Sequence, residues 1–132
     1  MEIKVNEQFQ RFHLAFDKWV PAVGHEIQVG KYRFCAIPVR DAIYVSEVTS
    51  GVKAISVPIN LRVWMLISTQ EETLKFLEKV GEHLKRLIEE RGNFDELLET
   101  QKKTAFERLG KMPPIEDVDT DWLIAERSDV IH

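Results

Sequence analysis

The stretch HEIQVGKYRFCAIPV, residues 25–39, decides the predicted fold. Two runs rich in β-branched and aromatic residues flank Gly30-Lys31, and a two-residue link with glycine first is typical of a tight β-hairpin turn. Two further runs, AIYVSEV and VKAISVPI, follow after the short links at residues 40–41 and 49–51. Three short connections in succession predict four strands that pair as an antiparallel meander over residues 25–59.

The segment before this sheet, NEQFQRFHLAFDKWV, is interpreted as an amphipathic helix. At 100° per residue its aromatic side chains fall on one side, and most of its charged side chains fall on the other. Asn6 would cap this helix and Pro21 would end it. A strand remains the alternative for residues 7–20, because Phe12 and Leu14 alternate with more polar neighbours.

Two helices are predicted after the sheet. Residues 69–91 place apolar side chains on one stripe and charged side chains on the opposite side, and Ser68 with Glu71 forms a capping box in front of them. Gly92 ends this helix, and residues 93–110 form the next one. Because the link between them is short, we expect a helical hairpin.

The acid-rich stretch PPIEDVDTDWLIAE, residues 113–126, raises the question of a metal site. A calcium loop beginning at the first aspartate of DVDTD would need glycine and glutamate where Trp122 and Ser128 stand, so that motif is excluded. The acids are better explained as the start of a short helix, with Asp119 as its cap and Asp121 in the first turn. Trp122 falls about 100° from the apolar face of that helix, which makes it a candidate for contact with a partner.

Composition defines the class of protein. A chain of 132 residues with 44% hydrophobic and 30% charged residues is typical of one soluble globular domain. No apolar run approaches the roughly 18 residues of a membrane span, and the first residues carry charges where an export signal would be apolar. The single cysteine, Cys35, lies in a strand-like run and fits a reducing compartment. We therefore expect a cytoplasmic protein without membrane contact.

Together these predictions describe an α+β fold, in which a four-stranded antiparallel meander sheet is preceded by one amphipathic helix and followed by a helical hairpin and a short C-terminal helix. Residues 61–67 stay undecided between helix and strand. The whole chain is expected to form one domain, with an N-terminal helix region (1–24), the sheet (25–59), a helical region (60–110) and an acidic linker with the last helix (111–132).

Sequence motifs for catalysis or metal binding are not found: HExxH, CxxC, a Gly-rich phosphate loop and G-x-S-x-G are all missing. We therefore assign no catalytic, cofactor-binding or metal-ligating residue. The predicted helices carry more apolar surface than one face of a four-stranded sheet covers, and such surplus is typical of surfaces buried in a dimer or against a partner. The predicted function is a small non-enzymatic regulatory or accessory protein, acting as a homodimer through Trp19, Trp122, Leu123 and Ile124.

Two alternative functions stay open. The predicted hairpin places Lys31, Arg33 and Arg40 around Tyr32, and sheets that combine cations with aromatic rings bind single-stranded nucleic acid. The second alternative is a small-molecule-binding protein, or an enzyme built from scattered residues without a motif, which would need a deep pocket.

Overall fold

A computed structural model describes residues 1–60, 63, 65, 67 and 69–118. The fold is α+β. Within these residues, seven strands and two long helices occur in the order β1 (Ile3–Val5), β2 (Gln10–Ala15), β3 (Trp19–Val29), β4 (Tyr32–Pro38), β5 (Ala42–Glu47), β6 (Lys53–Pro58), α1 (Gln70–Arg91), α2 (Phe94–Leu109) and β7 (Glu116–Asp117).

The strands form one antiparallel sheet in the order β6-β5-β4-β3-β2-β7, and β1 pairs with the last residues of β3. The four strands predicted over residues 25–59 are present, and the turn between β3 and β4 contains Gly30 with a φ of 60°, which favours glycine. The prediction of a four-stranded sheet is nevertheless wrong. Three further strands, β1, β2 and β7, extend the sheet.

The predicted N-terminal helix is also wrong, because residues 10–15 form β2 and pair with the first half of β3. Within β2, Phe12 and Leu14 are buried, whereas Arg11 is exposed and His13 is only partly buried, so the side chains follow the period of a strand. The helical wheel places these aromatic residues on one face, but in the structure they contact different elements: Phe9 packs on His25 of β3, and Trp19 packs on Phe106 of α2. Pairing with distant residues overrides a local pattern that fitted both periods.

Each face of β4 contributes to its own hydrophobic core. Phe34 and Ala36 face α1, and most of the predicted stripe of α1 is buried against this side of the sheet. Cys35 and Ile37 face the other way. The second core contains Phe12, Leu14, Cys35, Ile37 and Val48.

The second core depends on a change of partner within β3. The first half of that strand pairs with β2 and the second half with β4, and the change occurs at Gly24. A Cβ at Gly24 would lie 2.0 Å from the carbonyl oxygen of Ala36, so only glycine leaves room for the two backbones. This close approach carries β2 over the second face of β4, where its apolar side chains are buried.

The two helices that follow the strands were predicted. The cap of α1 is Thr69 rather than Ser68, since the Thr69 hydroxyl accepts a hydrogen bond from the Glu72 N–H at 3.1 Å. Gly92, with a φ of 69°, ends α1, and α2 begins two residues later. Because Ala105 is the only fully buried residue of α2, this helix is held mainly by contacts near its two ends.

The undecided segment 61–67 is described only in part. Val63 and Met65 are helical, and the Asn60 side chain accepts a hydrogen bond from the Val63 N–H at 3.0 Å, as a helix cap does. The helical alternative is therefore favoured at Val63 and Met65. The C-terminal helix predicted from Asp119 onward lies outside the described residues.

Candidate functional site

The candidate site combines the β2–β3 turn with the second half of α2. We call it the tip patch and define it by Phe16, Lys18, Trp19, Lys102, Phe106 and Arg108. The turn is tight, because the Phe16 N–H donates to the Lys18 carbonyl oxygen at 3.2 Å. It leaves Phe16 49% exposed. A single exposed apolar residue is ordinary, but Phe16 shares its turn with Trp19, which continues the apolar surface.

Trp19 is fixed from three sides. Its ring meets the Phe106 ring edge-to-face at 5.7 Å between centroids, and its indole N–H donates to the Gly110 carbonyl oxygen at 3.3 Å. On the side of the sheet, the backbone of Gly51 approaches so closely that a Cβ there would lie 2.9 Å from the indole. Trp19 stays half-buried, and a rigid aromatic ring with part of its surface accessible is typical of an anchor in a protein contact.

Cations surround these aromatic rings. The Arg108 guanidinium donates to the Phe16 carbonyl oxygen, and the Lys102 ammonium lies 5.8 Å from the centroid of the Phe106 ring. Residues 16–19 and 102–111 together hold five Lys and Arg against two Asp and Glu, a net charge of +3 in a chain whose net charge is -4. The patch is therefore suited to acidic groups.

The structure locates one of the four predicted contact residues. Trp19 lies in the tip patch, as described above. Trp122, Leu123 and Ile124 lie outside the described residues.

Two of the residues predicted to contact nucleic acid are bound to a carboxylate. The Lys31 ammonium lies 2.8 Å from one oxygen of Asp95, and the Tyr32 hydroxyl donates to the other at 2.7 Å. The hydrogen bond from Lys31 lowers the pKa of Asp95, and the same bond raises the pKa of Lys31. Burial, followed by the hydrogen bond to Asp95, raises the pKa of Tyr32, whose ring also packs edge-on against Phe94 at 4.8 Å. These contacts attach the start of α2 to the β3–β4 turn.

The two predicted arginines lie apart. Arg33 forms two hydrogen bonds with the Glu26 carboxylate, at 2.9 and 2.7 Å, and this pairing raises the pKa of Arg33. Arg40 lies in the β4–β5 turn, roughly 30 Å along the strand from Lys31. The structure thus brings Lys31, Tyr32 and Arg33 together, pairs both of these cations with carboxylates, and leaves Arg40 at the opposite end of β4. Nucleic-acid binding by these four residues stays a prediction.

The titratable groups elsewhere in the described chain do not assemble into a site. No group of three or more His, Cys, Asp and Glu side chains in this part could hold a metal ion. His25 donates from Nδ1 to the Asn6 carbonyl oxygen at 2.9 Å, and burial lowers the pKa of His25. Burial raises the pKa of Cys35 to about 12, so its thiol stays protonated and unreactive.

Sequence reasoning missed Phe106 and Arg108, and it placed Phe16 on a helix. Phe106 lies in a weakly amphipathic helix in which only Ala105 is fully buried, so no local pattern singles it out. Only the folded chain brings it to Trp19.

Comparison of the chain with protein-family models, with curated proteins and with solved structures finds no match. Neither described long helix is apolar enough to span a membrane.

Proposed function

We propose that this chain is a small accessory or regulatory protein that works through protein–protein contact and assembles as a homodimer through the tip patch. The observation that carries the proposal is the exposed Phe16 ring beside the half-buried Trp19 and Phe106, in a region with a net charge of +3. Aromatic residues and arginine are enriched in protein interfaces relative to the rest of the surface.

A second copy of the chain supplies the complementary chemistry. Residues 116–126 contain five Asp and Glu, no Lys or Arg, and the consecutive apolar residues Trp122, Leu123 and Ile124. An acidic segment with large apolar side chains matches a basic surface with aromatic rings in both charge and hydrophobicity. Two copies that each carry both elements form two equivalent contacts related by a twofold axis.

The position of β7 favours exchange between copies. The Val118 N–H donates to the Phe9 carbonyl oxygen at 2.9 Å, so Val118 lies at the end of β2 remote from the tip patch. Phe16 lies seven residue steps along β2 from Phe9, roughly 23 Å, whereas the four steps from Val118 to Trp122 span at most about 14 Å. Trp122 therefore does not reach Phe16 of its own chain, whereas the distance within one chain does not restrict contact with Phe16 of a second copy.

The mass of the full-length chain in solution tests the proposal. One chain weighs 15.4 kDa, and sedimentation velocity over a range of concentrations distinguishes it from a dimer of twice that mass. Phe16→Ser and Trp122→Ala should each shift the protein to monomer. Burial of one such side chain contributes about 1.5–3 kcal/mol, so each lost contact weakens the dimer by roughly tenfold or more.

Charge and reciprocity are tested separately. Lys103→Glu in the basic part of α2 should weaken the dimer, whereas Lys79→Glu, an equally exposed lysine of α1, is the matched control and should not. A mixture of the Phe16→Ser and Trp122→Ala chains keeps one intact contact per heterodimer, so it should associate although neither variant does alone. A wild-type protein that is monomeric at every concentration would refute the proposal, as would a dimer that these substitutions leave unchanged.

A further inference from the structure

A cavity of about 220 Å³ opens between the end of α1, the start of α2 and the β5–β6 side of the sheet. Gly92 follows the first of the two helices, and both of them line this space. Nine of its thirteen lining residues are apolar, with Phe34, Leu84, Leu87, Ile88, Phe94 and Leu97 among them, and the other four are Glu47, Lys53, Arg91 and Gln101. Protein interiors are normally close-packed, and a space of this size with mostly apolar lining residues and a few polar ones is suited to a ligand with an apolar chain and a polar end.

We propose that this cavity binds a medium-chain fatty acid, with the alkyl chain inside and the carboxylate at the mouth. An apolar cavity of about 150 Å³ holds one benzene molecule, so 220 Å³ holds roughly nine non-hydrogen atoms. Octanoate, with seven alkyl carbons and a carboxyl carbon at the mouth, comes close to that number.

The charged side chains around the cavity favour a ligand with a carboxylate over a neutral one. Arg91 lines the mouth and is exposed, and within the described residues it forms no ion pair. Lys53 also lines the cavity, and its ammonium lies over the ring of Tyr44, 4.8 Å from its centroid. The Glu47 carboxylate, which would repel an anion, accepts hydrogen bonds from the Thr49 hydroxyl and N–H. Arg91 is therefore available for two parallel hydrogen bonds to a carboxylate.

A titration with a series of ligands tests the size of the site. Calorimetry on the full chain with butanoate, hexanoate, octanoate and decanoate should show an affinity that rises about fourfold for each added CH₂ and stops rising beyond octanoate. Octanol, which has the same number of carbons without the charge, should bind about tenfold more weakly than octanoate.

Two variants test the position of the ligand. Leu97→Trp fills the cavity and should abolish octanoate binding, whereas Leu74→Trp, on a half-buried leucine of α1 outside the cavity, should not. Arg91→Gln changes an exposed side chain, so the fold should persist while the affinity for octanoate falls to that for octanol. The proposal is overturned if no acid binds the wild type, if octanol and octanoate bind equally, or if Arg91→Gln or a folded Leu97→Trp variant binds octanoate unchanged.

Discussion

Substitution of Gly24 by alanine tests the bend that folds the sheet over itself. The added Cβ would lie 2.0 Å from the Ala36 carbonyl oxygen and 2.9 Å from the Ile37 side chain. Real Cβ contacts are not shorter than 3.0 Å, so β3 and β4 would have to separate by roughly 1 Å at this point. The obstructing atom belongs to the backbone of a central strand, so it cannot rotate away as a side chain could.

The expected loss of unfolding free energy follows from these distances. Overpacking of a well-packed region costs about 1–3 kcal/mol, and separation of the strands weakens one or two backbone hydrogen bonds at about 1 kcal/mol each. Gly24→Ala should therefore lower the unfolding free energy by about 2–5 kcal/mol, a large part of the roughly 7–20 kcal/mol expected for a chain of this length.

Urea unfolding followed by circular dichroism measures this loss, and Gly92→Ala is the control. No atom lies within 4 Å of a Cβ at Gly92, so that substitution costs only the strain of a left-handed backbone, about 1–2 kcal/mol. Because Cys35 lies in the second core, Gly24→Ala should also make its thiol react faster with an alkylating reagent. A Gly24→Ala protein no less stable than Gly92→Ala, with Cys35 equally protected, would show that β3 and β4 do not approach as described.

Three further predictions concern titratable groups. Burial lowers the folded-state pKa of His25 below 6.5, so the unfolded chain binds the proton first as the pH falls. The contribution of His25 to stability should be greatest above pH 6.5 and should fall as the pH drops from 6.5 through the folded-state pKa, by at most about 1.4 kcal/mol per pH unit. Urea unfolding of wild type and His25→Gln at several pH values checks this. Asp95→Ala removes the acceptor of the Tyr32 hydroxyl, so ultraviolet titration should show the pKa of Tyr32 falling part of the way to its ordinary value, the effect of burial remaining. With a pKa of about 12, the Cys35 thiol should resist thiol reagents in the folded protein at a pH of about 8 and react in urea.

The elements that were predicted have strong local signals. The β3–β4 turn is marked by Gly30, whose positive φ is the conformation that a two-residue hairpin link requires. The helix α1 runs for 22 residues, and over that length an apolar stripe at 77, 80, 84 and 88 cannot be mistaken for the alternation of a strand.

The N-terminal strands lack such a signal. Phe12 and Phe16 are four residues apart, which suits a helix, and Phe12 and Leu14 are two apart, which suits a strand. The choice is made by pairing with β3 and by the bend at Gly24, and both involve residues outside the segment. For the same reason Trp19 could be singled out from the sequence, whereas its neighbour Phe106 could not.

The second core buries much of the apolar surface that the sequence analysis expected to be left uncovered by the sheet. Phe12, which belongs to the aromatic surplus expected to meet a partner, is buried together with Leu14 on the second face of β4. The tip patch retains the exposed Phe16 ring and the accessible part of Trp19, which is far less than the roughly 1,600 Å² of a typical stable interface. A dimer held by two facing patches would therefore be too small, and its like charges would repel. If each copy instead places residues 116–126 on the tip patch of the other, the dimer has two contacts, each with an added acidic and apolar segment. The mixing experiment therefore tests the homodimer and this reciprocal contact together.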